Sequence, residues 1–172
     1  MDLVAHCDQS TKGEYVHTLT AVDIDTRWCE LGVLPNRGQQ AVKEEVKRIL
    51  NELPFPLLGI DSDNHSAFLN GNLVRYYKAQ KIAFTRCRPY KKNGQVHVEQ
   101  ENWSAVPKLT GYERYTTQEA KKVLEAICTD WRLFLSFFHL VRKLLSKKSV
   151  RSKLRKRYDR AQSPYRRVLA FP

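Results

Sequence analysis

Apolar and polar positions along the chain set out a succession of short strands and longer helices. Asp2 to Cys7 (D-L-V-A-H-C) is a short strand-like run. Glu14 to Ile24 is rich in β-branched and aromatic residues with partial alternation, which predicts a second strand. Asp25-Thr26 can turn the chain into a third, Arg27 to Leu34, making an antiparallel pair before Pro35-Asn36-Arg37-Gly38 breaks it. The period then changes. Val42, Val46, Ile49, Leu50 and Leu53 form one apolar stripe at helical spacing, so Ala41 to Leu53 reads as a helix that Pro54 ends. A fourth strand is expected at Leu57 to Asp61, a helix at Asn70 to Gln80, and a fifth strand at Ile82 to Thr85. After a loop from Arg88 to Gly94, helical sequence resumes near Gln95 and runs through Trp103 to Leu109. A long helix from Thr117 to about His139 carries Ala120, Val123, Leu124, Ile127, Trp131, Phe134 and Phe138. The order β-β-β-α-β-α-β-α-α predicts an α/β fold with a mixed five-stranded sheet covered on both faces.

Composition narrows the class. A chain of 172 residues suits one domain with a core of its own, and 42% apolar residues fit a globular protein. No apolar run approaches the ~20 residues that span a bilayer, so no membrane role is expected. Met1-Asp2-Leu3-Val4 has no signal-peptide pattern. Cys7, Cys29, Cys87 and Cys128 are scattered without a C-x-x-C pair, which argues against a zinc site or a secreted disulfide framework. A reduced, cytoplasmic setting is the expectation.

Charge changes the picture further. The formal net charge is +12, yet from Arg142 to Arg167 twelve Lys or Arg face one acid, Asp159. A near-neutral body over residues 1–140 with a basic tail over 141–172 is the footprint of a protein that binds a polyanion. A solvated tail or a basic helix on a membrane surface would share that charge. The interleaved Tyr158 and Tyr165, and the lack of a wide apolar face, favour nucleic acid.

Three acids lie where an open α/β sheet builds its site. Asp2 is on the first strand, Asp63 just past the fourth, and Glu99 early in the helix after the fifth. Carboxylates gathered together repel unless a cation neutralises them, and hard oxygen ligands select Mg²⁺ or Mn²⁺. Any one such acid alone is ordinarily a solvated surface group. Asp61, two residues before Asp63, is the second choice for the same site, whereas Asp8, Asp23 and Asp25 read as turn acids. Thirty-five residues separate Asp63 from Glu99.

With D-L-V-A-H-C at 2–7, P-F-P-L-L-G-I-D-S-D-N at 54–64, R-P-Y-K-K-N at 88–93, H-V-E-Q-E-N-W at 97–103 and R-K-R-Y-D at 155–159, the chain resembles a known family. It is similar to the catalytic core of the retroviral-integrase and insertion-sequence transposase superfamily, in particular to bacterial insertion-sequence transposases with an integrase core. The resemblance covers essentially the whole chain. It implies a ribonuclease H-like fold and a D, D-35-E triad of Asp2, Asp63 and Glu99 holding two Mg²⁺ or Mn²⁺ ions. The implied activity is DNA cleavage and strand transfer by in-line phosphoryl displacement. The implied partners are DNA (element ends and target) and further copies of the chain, with no small-molecule substrate, in a bacterial, nucleoid-associated setting.

Other residues take roles beside the triad. By the resemblance Asn64 helps to shape the site. Arg88, Lys91 and Lys92 form a basic loop placed to hold a DNA backbone, and His97 could touch a phosphate. In the tail, Lys147, Lys148, Arg151, Lys153, Arg155, Lys156 and Arg157 are the candidate DNA contacts. The sequence departs from the family pattern at His65 and Ala67, where D-N-G-S-E-F is usual, and at Asn93-Gly94-Gln95-Val96 before Glu99. It also opens on the first catalytic strand, without the helix-turn-helix usual ahead of it. The expectation is therefore a truncated transposase. A non-catalytic DNA-binding remnant and a ribonuclease H-type nuclease are the alternatives.

Overall fold

A computed structural model describes residues 1–62, 68, 71–86, 106–111, 113–150 and 153–171, with Arg86, Pro107, Lys108, Val150 and Lys153 by their backbone only. Three strands open the chain: β1 (Asp2–Ala5), β2 (His17–Val22) and β3 (Cys29–Leu34), all antiparallel in the order β1-β2-β3. Helix α1 (Gln39–Glu52) leads to β4 (Gly59–Ser62), α2 (Gly71–Ala79) and β5 (Ala83–Arg86), with β4 and β5 parallel. A single helical turn α3 (Pro107–Thr110), the long α4 (Gln118–Phe137), strands β6 (Leu144–Val150) and β7 (Lys153–Tyr158), and α5 (Pro164–Leu169) follow.

Most elements start or stop where local chemistry dictates. Helix α1 begins two residues before the expected start at Ala41 because the Gly38 carbonyl already accepts the Val42 N–H at 3.1 Å. Thr117 caps α4 by accepting the Ala120 N–H at 3.1 Å, and Ser163 does the same for α5 through Arg166. Asp23 is the turn acid expected between β2 and β3: its Oδ2 accepts both the N–H and the hydroxyl of Thr26, each at 2.7 Å.

Alternation along β3 divides the interior into two layers. Cys29, Leu31 and Val33 meet Val16, Val106, Leu124, Cys128 and Leu135 on the α4 side. Leu34 and Leu19 meet Val42, Val46 and Ile49 of α1, with Ile60, Phe68, Leu73 and Tyr77. Each buried aliphatic side chain contributes about 1.5–3 kcal/mol. Gly32 lets α1 come close, because a Cβ there would collide with the Glu45 side chain. The sheet is thus covered on both faces, as the pattern predicted.

An ionic chain ties the layers together. Glu30 of β3, 2% exposed, accepts Trp28 Nε1 at 2.8 Å and Arg132 Nη1 at 2.7 Å. Arg132 also reaches Glu52 of α1 at 3.1 Å, and Glu52 pairs with Arg48, which reaches back to the Leu31 carbonyl at 2.9 Å. One network thereby joins α1, β3 and α4.

One expectation is corrected. The sheet is not one five-stranded ladder: among the described residues three antiparallel strands and two parallel strands form separate ladders, and a bond from the Met1 ammonium to the Asp61 carbonyl at 2.8 Å runs between them. The basic segment 141–172 is folded where it is described. It forms the antiparallel β6–β7 hairpin and α5; the Val141–Gln162 bridge closes its base, and Phe137 against Tyr165, ring centroids 4.8 Å apart, joins it to α4. Along α4, Leu124 is buried with Cys128 and Leu135, whereas Val123, Phe134 and Phe138 are exposed. The helix predicted from Gln95 to Leu109 falls mostly outside the described residues, and α3 is its described end.

Candidate active edge and nucleic-acid interface

The Met1–Asp61 bond brings the start of β1 beside the end of β4, so Asp2 stands at the edge where β4 finishes. Pairing with β2 fixes it from the other side, Asp2 opposite Thr20, and its Oδ1 accepts the Leu3 N–H at 2.8 Å. Asp61, on β4, accepts the Thr85 hydroxyl of β5 through Oδ1 at 3.1 Å. Both acids line a cavity of about 740 Å³ whose walls include Ile49, Leu53, Phe55 and Phe171. From Ser62 the chain runs directly into Asp63. Asp63, Asn64, Arg88, Lys91, Lys92, His97, Glu99 and Arg151 lie outside the described residues. Among the described residues, no three His, Cys, Asp or Glu side chains gather as a metal site.

The far end of β1 from Asp2 is framed by residues that sequence reasoning missed. Arg114 clamps the loop after β1: its guanidinium donates to the carbonyls of Ser10 at 2.7 Å and Lys12 at 2.5 Å, and more weakly to those of Cys7 and Glu14. It also lies over the Tyr15 ring, 5.2 Å from the centroid. No local signal could have found it, since its partners are backbone carbonyls about a hundred positions earlier in the chain. His6, at the end of β1, is buried with Nε2 2.8 Å from the Thr18 hydroxyl. Burial, helped by nearby His17, pushes its pKa down to about 4, so the imidazole is neutral at pH 7.

The basic C-terminal segment separates into two kinds of cation. At its base the charges are paired. Asp159 accepts the Lys143 N–H and Arg167 Nη1, each at 2.6 Å, while Arg167 Nη2 donates to the Val141 carbonyl at 3.0 Å. These donors hold the Asp159 carboxyl below the usual carboxylate range, the Arg167 hydrogen bond most of all. Lys143 Nζ also reaches Asp25 at 3.1 Å. Beyond the base, the hairpin stands in solvent. Lys147, Lys148, Arg155, Lys156 and Arg157 are all exposed, and none has an ion pair among the described residues. Leu145 and Leu154, more than half exposed, accompany them.

No helix among the described residues is long and apolar enough to cross a membrane. No protein-family model matches the chain. The uncharacterised protein y4rM of Sinorhizobium fredii (strain NBRC 101917 / NGR234) is 35% identical over 167 residues, covering 97% of this chain. The chain spans about half the length of that curated relative, 48%. Among solved structures, the catalytic core domain of BIV integrase is similar with a TM-score of 0.64 at 17% identity, covering 98% of this chain and 91% of that one. The HTLV-2 integrase catalytic core domain, in complex with magnesium in a trimeric form, gives 0.56 at 16% identity over 81% of this chain and 84% of that one. A simian T-cell lymphotropic virus intasome bound to a PP2A regulatory subunit gives 0.59 at 13% identity, over 81% and 48%. The chain therefore has the fold of integrase catalytic cores.

Proposed function

We propose that the chain is the catalytic core of a transposase or integrase, cleaving DNA strands and joining them to a target. The observation that carries this reading is the Met1–Asp61 bond, which sets Asp2 beside the end of β4 in a chain with an integrase-core fold. Asp63 is the next residue after that strand, and Glu99 completes the triad. Three carboxylates are hard oxygen donors, a set that fits Mg²⁺ or Mn²⁺. Divalent ions held there would supply Lewis-acid stabilisation of the attacking and leaving oxygens.

The chain's own residues do the rest. Asp2 is oriented by its strand pairing and by the Leu3 N–H on its Oδ1. Asn64 shapes the strand end, while Arg88, Lys91, Lys92 and His97 hold the DNA backbone ahead of Glu99. The hairpin cations Lys147, Lys148, Arg155, Lys156 and Arg157, with Arg151 and Lys153 in the same segment, give further phosphate contacts. Element ends and target DNA are the substrates, and two or more copies assemble on them. A second reading, a DNA-binding remnant without catalysis, is favoured by one feature: the exposed hairpin cations, none with an ion pair among the described residues.

The test is Mn²⁺-dependent nicking and joining of labelled duplex DNA by the chain and by Glu99→Gln and Asp2→Asn. Loss of a ligand should lower activity by on the order of 100-fold or more, while DNA binding persists. Equal activity in wild type and both variants sinks the proposal. Nicking without joining would mark a nuclease. Salt-sensitive binding without cleavage would mark the remnant.

A further inference from the structure

The β6–β7 hairpin puts like charges directly opposite each other. Lys147 faces Lys156 and Lys148 faces Arg155 across the two strands. Because side chains alternate along a strand, these adjacent rungs lie on opposite faces of the ribbon. Arg157 shares a face with Arg155, across from Ser146. Like charges directly opposite in a ladder destabilise it, and a two-stranded hairpin alone is marginal in water. Between Leu144 and Tyr158 there are seven Lys or Arg and no acid to relieve the repulsion. Among the described residues no other element covers either face, since Lys147, Lys148, Arg155, Lys156 and Arg157 are all exposed. The acid that could have neutralised one of these pairs, Asp159, is spent on Arg167 and Lys143 at the base. Those contacts fix the root of the arm while its two faces stay open.

From this we infer that the hairpin is a ribbon that enters the major groove of duplex DNA, with each face turned to a different phosphate backbone. The inference rests on the proposed DNA-binding function and deepens it. A ribbon lying flat on one strand would neutralise one like-charge pair and leave the other uncompensated. Standing between two rows of phosphates neutralises both. The major groove, about 12 Å wide, admits a two-stranded ribbon, whereas the minor groove, about 6 Å wide, is too narrow for one bearing long side chains on both faces. The contacts are to phosphate, so they position the DNA without reading its sequence.

The experiment measures the affinity of the whole chain for a fluorescein-labelled duplex of fixed sequence across a NaCl series. The same series is run on Lys147→Gln/Lys156→Gln and on Lys148→Gln/Arg155→Gln. Each neutralised phosphate contact removes about 0.9 from the log–log salt slope, so each double variant should flatten it by about 1.8. Both variants relieve a repulsion, so amide exchange should show the hairpin at least as protected as in wild type. Lys147→Glu supplies a further check: it attracts Lys156 and keeps the ribbon folded, yet should weaken duplex binding more than Lys147→Gln does. A change in slope for one pair alone overturns the two-faced geometry. Tighter binding to a single strand of the same length overturns the groove. Salt-sensitive duplex binding unchanged in both variants overturns the hairpin's role and leaves the DNA reading intact. No salt-sensitive binding by the wild-type chain removes that reading as well.

Discussion

The imidazole of His6 shows how one buried group sets a pH response. Its pKa falls to about 4 in the folded chain, against about 6.5 when unfolded. Between those values the unfolded state binds the extra proton, so stability rises with pH across that window. The contribution is fully present above about pH 6.5 and is lost as pH falls toward 4, about 3 kcal/mol in all. In urea titrations the unfolding midpoint of the wild-type chain should drop from pH 7 to pH 4, and His6→Gln should flatten that drop. An identical pH profile in His6→Gln would show that the imidazole is not the titrating group. Nothing in D-L-V-A-H-C distinguishes His6 from a surface histidine. Its Thr18 partner comes from the neighbouring strand, and only the β1–β2 register brings the two together.

Among the elements, the ionic chain through Glu30, Arg132 and Glu52 makes α1, β3 and α4 depend on one another. Arg132→Met should leave the Glu30 carboxylate buried and unpaired, at a cost of about 3–5 kcal/mol. Glu30→Gln/Arg132→Met should recover most of that loss, read as the denaturation midpoint at constant slope. A double variant as unstable as the single one would mean that packing, not charge, is what Arg132 supplies. The elements themselves were legible to different degrees. The α1 stripe names its own buried face, because Val42, Val46 and Ile49 stand in one row with polar neighbours elsewhere. Helix α4 is apolar over more than one side, so its sequence does not reveal that Leu124 and Cys128 turn inward while Phe134 and Phe138 face out. The β6–β7 strands escaped entirely. Strands exposed on both faces need no alternation, and L-L-S-K-K-S-V and K-L-R-K-R-Y carry none.

Across the whole molecule, the order of strands and helices was readable but their joining was not. Five strands could be counted in sequence, yet whether β1 and β4 share a full ladder depends on chain crossings that composition does not encode. The position of Asp2 at a strand end was legible, since strand ends announce themselves by polarity. The Arg114 clamp that shapes the loop after β1 was not. One feature of the interior bears on how the molecule opens. Cys29 and Cys128 belong to the same buried layer, and burial pushes the Cys128 thiol up to about 12. At pH 8 that thiol is both shielded and un-ionised, whereas Cys7 is half-buried. The core thus carries its own clock. In a Cys87→Ser background a thiol reagent should label Cys7 promptly and the inner pair at least about 100-fold more slowly, at the rate at which α4 parts from β3. Mass spectrometry would read that rate directly, and early labelling of Cys128 with helicity intact would show that α4 detaches before the rest unfolds.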